Sequence, residues 1–238
     1  MSDSFYFRQL LAGRDFAEDD DVARSMRNFV YAIGDRESGE AVLVDPAYRP
    51  SELVSMVEKD GLRVVGAVAT HYHPDHIGGT LMGEQHIAGI SEMQSTSRVP
   101  VHVQAEEVEW VKARTGVGDE VLVVHHDHDV LKIGAIEITL LLTPGHTPGS
   151  QCLVVEGCLL SGDTLFIDGC GRTDFPGGDA REMYKSLSER LAVVSDETVL
   201  FPGHLYAPEA SLTMGEVRAR NYVLEPKSSD DWLAMFGS

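Results

Sequence analysis

Positive charge is scarce in this chain. Its 238 residues carry 19 Lys+Arg against 38 Asp+Glu, a formal net charge of −19. A protein that grips nucleic acid by neutralising phosphates needs a basic face, so that class of partner is excluded. Cysteine is scarce too. Cys152, Cys158 and Cys170 are too few and too irregularly spaced for a disulfide framework, which fits a reducing, cytoplasmic setting. No apolar run is long enough to cross a membrane, and residues 1–21 are charged and lack the apolar segment of a signal peptide. Internal repeats, low-complexity linkers and sustained heptads are missing, so oligomeric state has no sequence signal. What remains, at 43% hydrophobic residues, can bury one sizeable core. We expect a single domain over residues 1–238, with its core at 5–225 and a tail at 226–238.

Histidine is what the chain concentrates. Thr70-His71-Tyr72-His73-Pro74-Asp75-His76 follows directly on the apolar run Val64-Val65-Gly66-Ala67-Val68-Ala69. A buried strand ending in imidazoles packs poorly, because each neutral ring needs partners for two nitrogens. A metal ion supplies them. In an extended segment His71 and His73 face the same way, and a helical turn from Pro74 swings Asp75 and His76 towards a second ion. Imidazole mixed with carboxylate suits zinc first, with iron or manganese as alternatives. Three more such groups follow apolar strands, where open sheets place their chemistry: His146 in Thr143-Pro144-Gly145-His146, Asp163 in Ser161-Gly162-Asp163, and His204 in Pro202-Gly203-His204.

His71, His73, Asp75, His76, His146, Asp163 and His204 resemble, in order and without a gap, the ligand set of the metallo-β-lactamase superfamily. The resemblance covers nearly the whole chain. It implies an αββα sandwich, two mixed β-sheets packed face to face under outer helices. It also implies that His71, His73 and His146 hold one divalent ion and Asp75, His76 and His204 the other, with Asp163 bridging them. Two ions sharing a carboxylate lower the pKa of a water between them towards neutrality, and the hydroxide is the nucleophile. Asp75 and Asp163 would be the catalytic carboxylates, and no Ser or Cys nucleophile is needed. A structural metal clamp fits less well, since such sites are closed, four-coordinate and usually rich in Cys.

Within the superfamily, Gly162-Asp163-Thr164-Leu165-Phe166 with Gly169-Cys170-Gly171-Arg172 is similar to the glyoxalase II branch. That resemblance implies hydrolysis of a hydroxyacyl thioester of glutathione or a similar small thiol. Arg172 would lie near the substrate carboxylate, and Tyr206 would add a hydrogen bond. Residues 226–238, with Lys227 as their one cation, are too short for that branch's helical glutathione-binding domain. A rival resemblance runs through Phe7-Arg8-Gln9-Leu10 and Gly169-Cys170-Gly171-Arg172-Thr173-Asp174-Phe175, which are similar to persulfide dioxygenases. It implies one iron on His71, His146 and Asp163, oxidising glutathione persulfide with oxygen. The long segment between His76 and His146, and Pro202-Gly203-His204, lean towards hydrolysis. We therefore take thioester hydrolysis as the principal expectation and the dioxygenase as its alternative. Hydrolysis of other esters, lactones or lactams comes next.

Periodicity places these groups on elements. Strands are expected at 5–11, 28–34, 41–45, 100–103, 130–142 with a turn at Gly134, 151–155 and 158–160. The acidic residues 15–21 read as a solvated loop or frayed helix start. Helices are expected from a Ser51 cap to Lys59, at 105–114 with Val108 and Val111 inward and the glutamates outward, from an Asp179 cap to Leu191, and at 208–221. Trp110 and Cys170 read as packing residues, His102 as an exposed or satisfied strand residue, and His125, His126 and His128 as a polar loop.

Overall fold

Side-chain alternation dictates the layers. In the strand Phe29–Asp35, Phe29, Tyr31 and Ile33 face one way and Val30 and Ala32 the other, yet all five are buried. Such a strand must be covered on both faces. A computed structural model, which describes residues 2–81, 83, 85–226 and 228–236, shows both covers.

The first half of the chain runs β1 (Phe5–Leu11), α1 (Asp21–Met26), β2 (Phe29–Asp35), β3 (Glu40–Val44), α2 (Pro50–Lys59), β4 (Arg63–Val68) and α3 (Pro74–Ile77). It continues through β5 (Gly79–Leu81), β6 (Gln85–Ile87), α4 (Ile90–Thr96), β7 (Val101–Gln104), α5 (Val108–Thr115) and β8 (Leu122–His125). The second half holds β9 (Asp129–Ile133), β10 (Ile136–Leu142), β11 (Gln151–Val155), β12 (Cys158–Gly162), α6 (Ala180–Lys185), β13 (Val199–Pro202), β14 (Leu212–Thr213), α7 (Met214–Arg220) and α8 (Ser229–Phe236).

One sheet has the order β1-β2-β3-β4-β7-β8 and the other β14-β13-β12-β11-β10-β9, while β5 and β6 form a separate hairpin. Both large sheets are mixed, with parallel pairing at β3–β4, β4–β7, β7–β8 and β12–β13. Between them Tyr31, Ile33, Val42 and Val44 meet Ile138, Leu140, Leu153 and Leu160. Outside, Leu53 and Val57 of α2, Met93 of α4 and Val111 of α5 cover the first sheet. Met183 of α6, Val217 of α7 and Trp232 of α8 cover the second. The fold is the αββα sandwich, a single domain.

Several local expectations change. Helix α2 starts at Pro50, whose missing N–H costs nothing in a first turn, and the residue before it is Arg49, with no side-chain cap; Ser51 is therefore not the cap. Part of the acidic stretch caps α1, with Asp20 accepting from the Val22 and Ala23 amides at 2.9 and 3.1 Å. Of residues 208–221 only the second half is helical; Thr213 and Glu216 close a reciprocal capping box at the start of α7. Glu107 does not face outward but is buried beside the ligand loops. Residues 229–236 are no tail: α8 buries Trp232 in the second outer layer, its indole N–H donating to the Val223 carbonyl at 3.0 Å. Lys227 lies outside the described residues. His102 is satisfied by His125, whose Nε2 is 2.8 Å from its Nδ1. Among the described residues no helix is long and apolar enough to cross a membrane.

Candidate metal centre

Five strands deliver polar side chains to one edge of the sandwich, each just past its carboxyl end. Asp45 follows β3, His71 and His73 follow β4, His146 follows β10, Asp163 follows β12 and His204 follows β13, while α3 carries Asp75 and His76. All seven residues singled out as ligands come together there, buried or nearly so.

Partners outside the cluster fix which nitrogen of each ring faces inward. Thr70 Oγ1 spends its one proton on Asp45 Oδ2 at 2.6 Å, so it accepts from His71 Nδ1–H at 3.0 Å. His146 Nδ1 sits 2.6 Å from the Arg172 carbonyl and His204 Nδ1 2.8 Å from the Met26 carbonyl, and a carbonyl can only accept. His76 Nδ1 lies 2.9 Å from Asp45 Oδ2. In all four rings Nε2 is therefore the nitrogen turned inward, the one that would ligate a metal.

Those nitrogens converge. His146 Nε2 is 2.9 Å from His73 Nδ1, within hydrogen-bond distance, and His71 Nε2 is buried with no hydrogen-bond partner. In the second group His76 Nε2, His204 Nε2 and Asp75 Oδ2 form a triangle with edges of 3.2, 3.4 and 3.5 Å. Its centre lies about 2 Å from each corner, the length of a zinc–nitrogen or zinc–oxygen bond. Asp163 stands between the groups: Oδ1 is 3.4 Å from His76 Nε2, and Oδ2 is 3.4 Å from His204 Nε2 and 3.7 Å from His146 Nε2. Converging imidazole nitrogens with an orphaned His71 Nε2, beside clustered carboxylates, fit divalent metal, zinc or iron.

Electrostatics divides the cluster. Burial, reinforced by neighbouring imidazoles, holds His71 well below its ordinary pKa and takes His73 down to about 3; burial also lowers His146. These three are neutral, the ligating form. Burial opposes charge on His76 and His204 too, but Asp163 and Asp75 outweigh it, carrying His76 to about 10 and raising His204. Asp163 is itself held well below the carboxylate range by His204 and His76, against its own burial. The acids that would keep a proton on His76 are the ones that would hold a cation.

Several residues that build the site are ones the sequence reading passed over. Asn28 Nδ2 donates to Asp75 Oδ2 at 3.0 Å and lies 3.2 and 3.4 Å from His76 and His204 Nε2, while Tyr48 O–H donates to Asn28 Oδ1 at 2.8 Å. Asp45 binds the Thr70 amide and hydroxyl and His76, from a backbone with φ of 55°. It follows an apolar strand, as Asp163 does, and that pattern could have found it. Glu107 accepts from the amides of Tyr72 and Gly149, each at 2.7 Å, and from Thr147 Oγ1 at 2.8 Å, tying the His71–His73 loop to the His146 loop. Burial pushes its carboxyl up to about 7.

A cavity of about 870 Å3 opens onto His73, Asp75, His146, Asp163 and His204. Arg172 and Tyr206 both line it. Tyr206 stacks on His204 with ring centroids 4.6 Å apart. Arg172 is paired with Asp174 at 2.5 Å, lies over the Phe175 ring and is 66% exposed. Trp110 packs on Tyr72 at 4.9 Å but also forms cavity wall. Cys170 is half-buried on the same wall, its thiol pushed up to about 12 by burial. Among the described residues His125, His126 and His128 join no group of potential metal ligands.

Comparison with known proteins agrees with this geometry. The mitochondrial persulfide dioxygenase ETHE1 of Homo sapiens is 31% identical over 199 residues, 81% of this chain and 70% of that protein. The crystal structure of ETHE1 from Myxococcus xanthus superposes with a TM-score of 0.78 at 26% identity, covering 98% of this chain and 90% of that one. A probable polyketide biosynthesis zinc-dependent hydrolase of Bacillus subtilis, PksB, is 26% identical over 194 residues, 82% of this chain and 80% of that protein. The metallo-β-lactamase superfamily profile matches residues 26–82 and 85–204, a span that takes in every inward-facing ligand described above, and the chain belongs to that superfamily.

Proposed function

We propose that this chain is an iron-dependent persulfide dioxygenase acting on the persulfide of a small thiol. This reverses the order of the two expectations drawn from the sequence. One observation carries it: the segment Gly169–Phe175, whose sequence is similar to persulfide dioxygenases, both walls the cavity and orients a ligand. Gly169, Cys170, Gly171, Arg172 and Phe175 line the cavity, and the Arg172 carbonyl holds His146 Nδ1 at 2.6 Å. The likeness to persulfide dioxygenases over about four-fifths of the chain supports the same reading.

His71, His146 and Asp163 form a two-histidine, one-carboxylate set of the kind that holds non-haem iron with open positions. Iron bound there supplies the redox chemistry that dioxygen requires. The protein does the rest. Thr70 and the Arg172 carbonyl fix the ligand tautomers, and Phe175 packs against the rings of His73 and His146 at 5.4 and 6.2 Å, shielding them. The partner on this reading is a small molecule in the cavity.

Thioester hydrolysis is the second reading, favoured by the complete triangle of Asp75, His76 and His204 beside the first group. Two ions sharing Asp163 would activate a water, with Asp75 and Asp163 holding it. Elemental analysis of protein purified without chelators, with oxygen uptake on glutathione persulfide and hydrolysis of S-lactoylglutathione measured in parallel, separates the two. About one iron per chain with persulfide-dependent oxygen uptake is expected. Two metals per chain, thioester hydrolysis and no oxygen uptake would overturn the dioxygenase.

A further inference from the structure

The cavity wall holds two cationic side chains besides its histidines, Arg114 and Arg172. They differ in what they face. Arg172 is already neutralised, with Nε and one terminal nitrogen on the Asp174 carboxylate at 2.8 and 2.5 Å. Arg114, from α5, has no carboxylate within 4 Å among the described residues, although the chain carries a net charge of −19. One terminal nitrogen donates to the Thr80 carbonyl at 3.1 Å, and Nε is buried without a partner. Its guanidinium lies 5.6 Å from the centre of the Tyr72 ring, which stacks on Trp110 at 4.9 Å and meets the His73 ring edge-on at 4.7 Å. Gly79 lets it in: a Cβ at Gly79 would stand 2.7 Å from Arg114 Cδ. An unpaired guanidinium held on an aromatic floor, one ring away from a ligand histidine, is a seat for a planar anion.

We propose that Arg114 is an anion subsite of this cavity and selects small thiol compounds that carry a carboxylate remote from the reacting sulfur. The carboxylate pairs with the free edge of the guanidinium while the sulfur reaches the metal groups. This deepens the dioxygenase reading and rests on it for the identity of the reacting group. The subsite itself is tested by binding. Isothermal titration of the metal-loaded chain with S-hexylglutathione and with its diethyl ester compares the same molecule with and without carboxylates. Arg114→Met, which keeps most of the stem, is expected to weaken the free acid about ten- to a hundredfold, the range of one charge-assisted hydrogen-bonded pair. Arg114→Lys should recover part of that loss. The ester should bind the native chain and Arg114→Met alike. Unchanged affinity of Arg114→Met for the acid, equal weakening of acid and ester, or no binding of the acid by the native chain each overturns the subsite. No turnover is needed, so the two proposals fail separately: binding through Arg114 without oxygen uptake removes the dioxygenase alone, and oxygen uptake without Arg114 dependence removes the subsite alone.

Discussion

Glu107 offers the sharpest test of how the metal groups are held. Its carboxylate is 1% exposed and takes two backbone amides, Tyr72 and Gly149, together with the Thr147 hydroxyl. Glu107→Ala strands both amides, at about 1–3 kcal/mol for each buried donor, so about 2–6 kcal/mol in all. Thr147 loses less, because Ser150 Oγ stands 2.7 Å from its hydroxyl. Glu107→Gln keeps one oxygen for Tyr72 and Thr147 but turns an amide NH2 towards the Gly149 N–H, stranding one donor at about 1–3 kcal/mol. Burying the carboxylate is itself costly, which the shift of its pKa to about 7 reflects, and the neutral Gln isolates the hydrogen bonds from that charge. Urea unfolding of both variants measures the losses. Because the clamp spans the two loops that carry His71, His73 and His146, metal affinity should also fall, by about 10–100-fold as for other groups that orient ligands. A Glu107→Ala protein within about 0.5 kcal/mol of the native one, and equally avid for metal, would refute the clamp.

Other perturbations follow from the same contacts. Asp163→Ala should lose both metal retention and turnover, and a variant with native metal content and activity would remove Asp163 from its place between the groups. Stepwise metal titration should fill the His71, His73 and His146 group first; His71→Ala should abolish the tighter step and His204→Ala the weaker one, both read by calorimetry. Trp232→Ala should cost about 3–5 kcal/mol in urea unfolding, whereas a dispensable tail would cost nothing. His102 is held neutral in the fold, taken from 6.5 down to about 4 by burial and then by His125. The unfolded chain therefore binds a proton that the native chain refuses, and stability falls as pH drops below about 6.5, by up to about 3 kcal/mol once pH passes below about 4. His102→Leu should flatten that slope in unfolding measured between about pH 7 and pH 5.

The candidate ligands were legible because His71, His146, Asp163 and His204 follow apolar strands, and His73, Asp75 and His76 crowd in directly after the first of these. His71 after Val64–Ala69 and Asp163 after Leu159–Leu160 have no structural use at those positions without a partner. Asp45 obeys the same logic after Val44 but stands alone in its segment, without a histidine beside it to draw notice. Glu107 was misplaced for a different reason. It lies among Glu106 and Glu109 at the start of a short helix whose apolar face is weak, so periodicity sends it to solvent. The acceptor it provides serves two loops remote in sequence, and such obligations leave no local trace. The β5–β6 hairpin has strands of three residues each, too short for alternation to register. Helix α8 was hidden by its position at the end of the chain, although Trp232, Leu233 and Phe236 have helical spacing.

The two metal groups differ in what already satisfies them, and that difference bears on the reaction. In the second group the Asn28 amide donates to Asp75 and lies within 3.4 Å of both histidine nitrogens, so some positive edge is built into the protein there. Tyr48 locks that amide by donating to its oxygen. The first group has no such amide: His73 Nδ1 lies within hydrogen-bond distance of His146 Nε2 at 2.9 Å, and His71 Nε2 is buried without a hydrogen-bond partner. On the proposed single-iron reading, the working ion would be held by His71, His146 and Asp163, and His71 Nε2 is the inward nitrogen left without any other partner. The segment Gly169–Phe175 bears on that same group through the Arg172 carbonyl on His146 and the Phe175 ring on His73. Cavity wall and ligand orientation thus converge on the half of the centre to which the proposed reading assigns its single iron. The dioxygenase reading uses that half of the centre, whereas the hydrolase reading needs the Asp75, His76 and His204 group occupied as well.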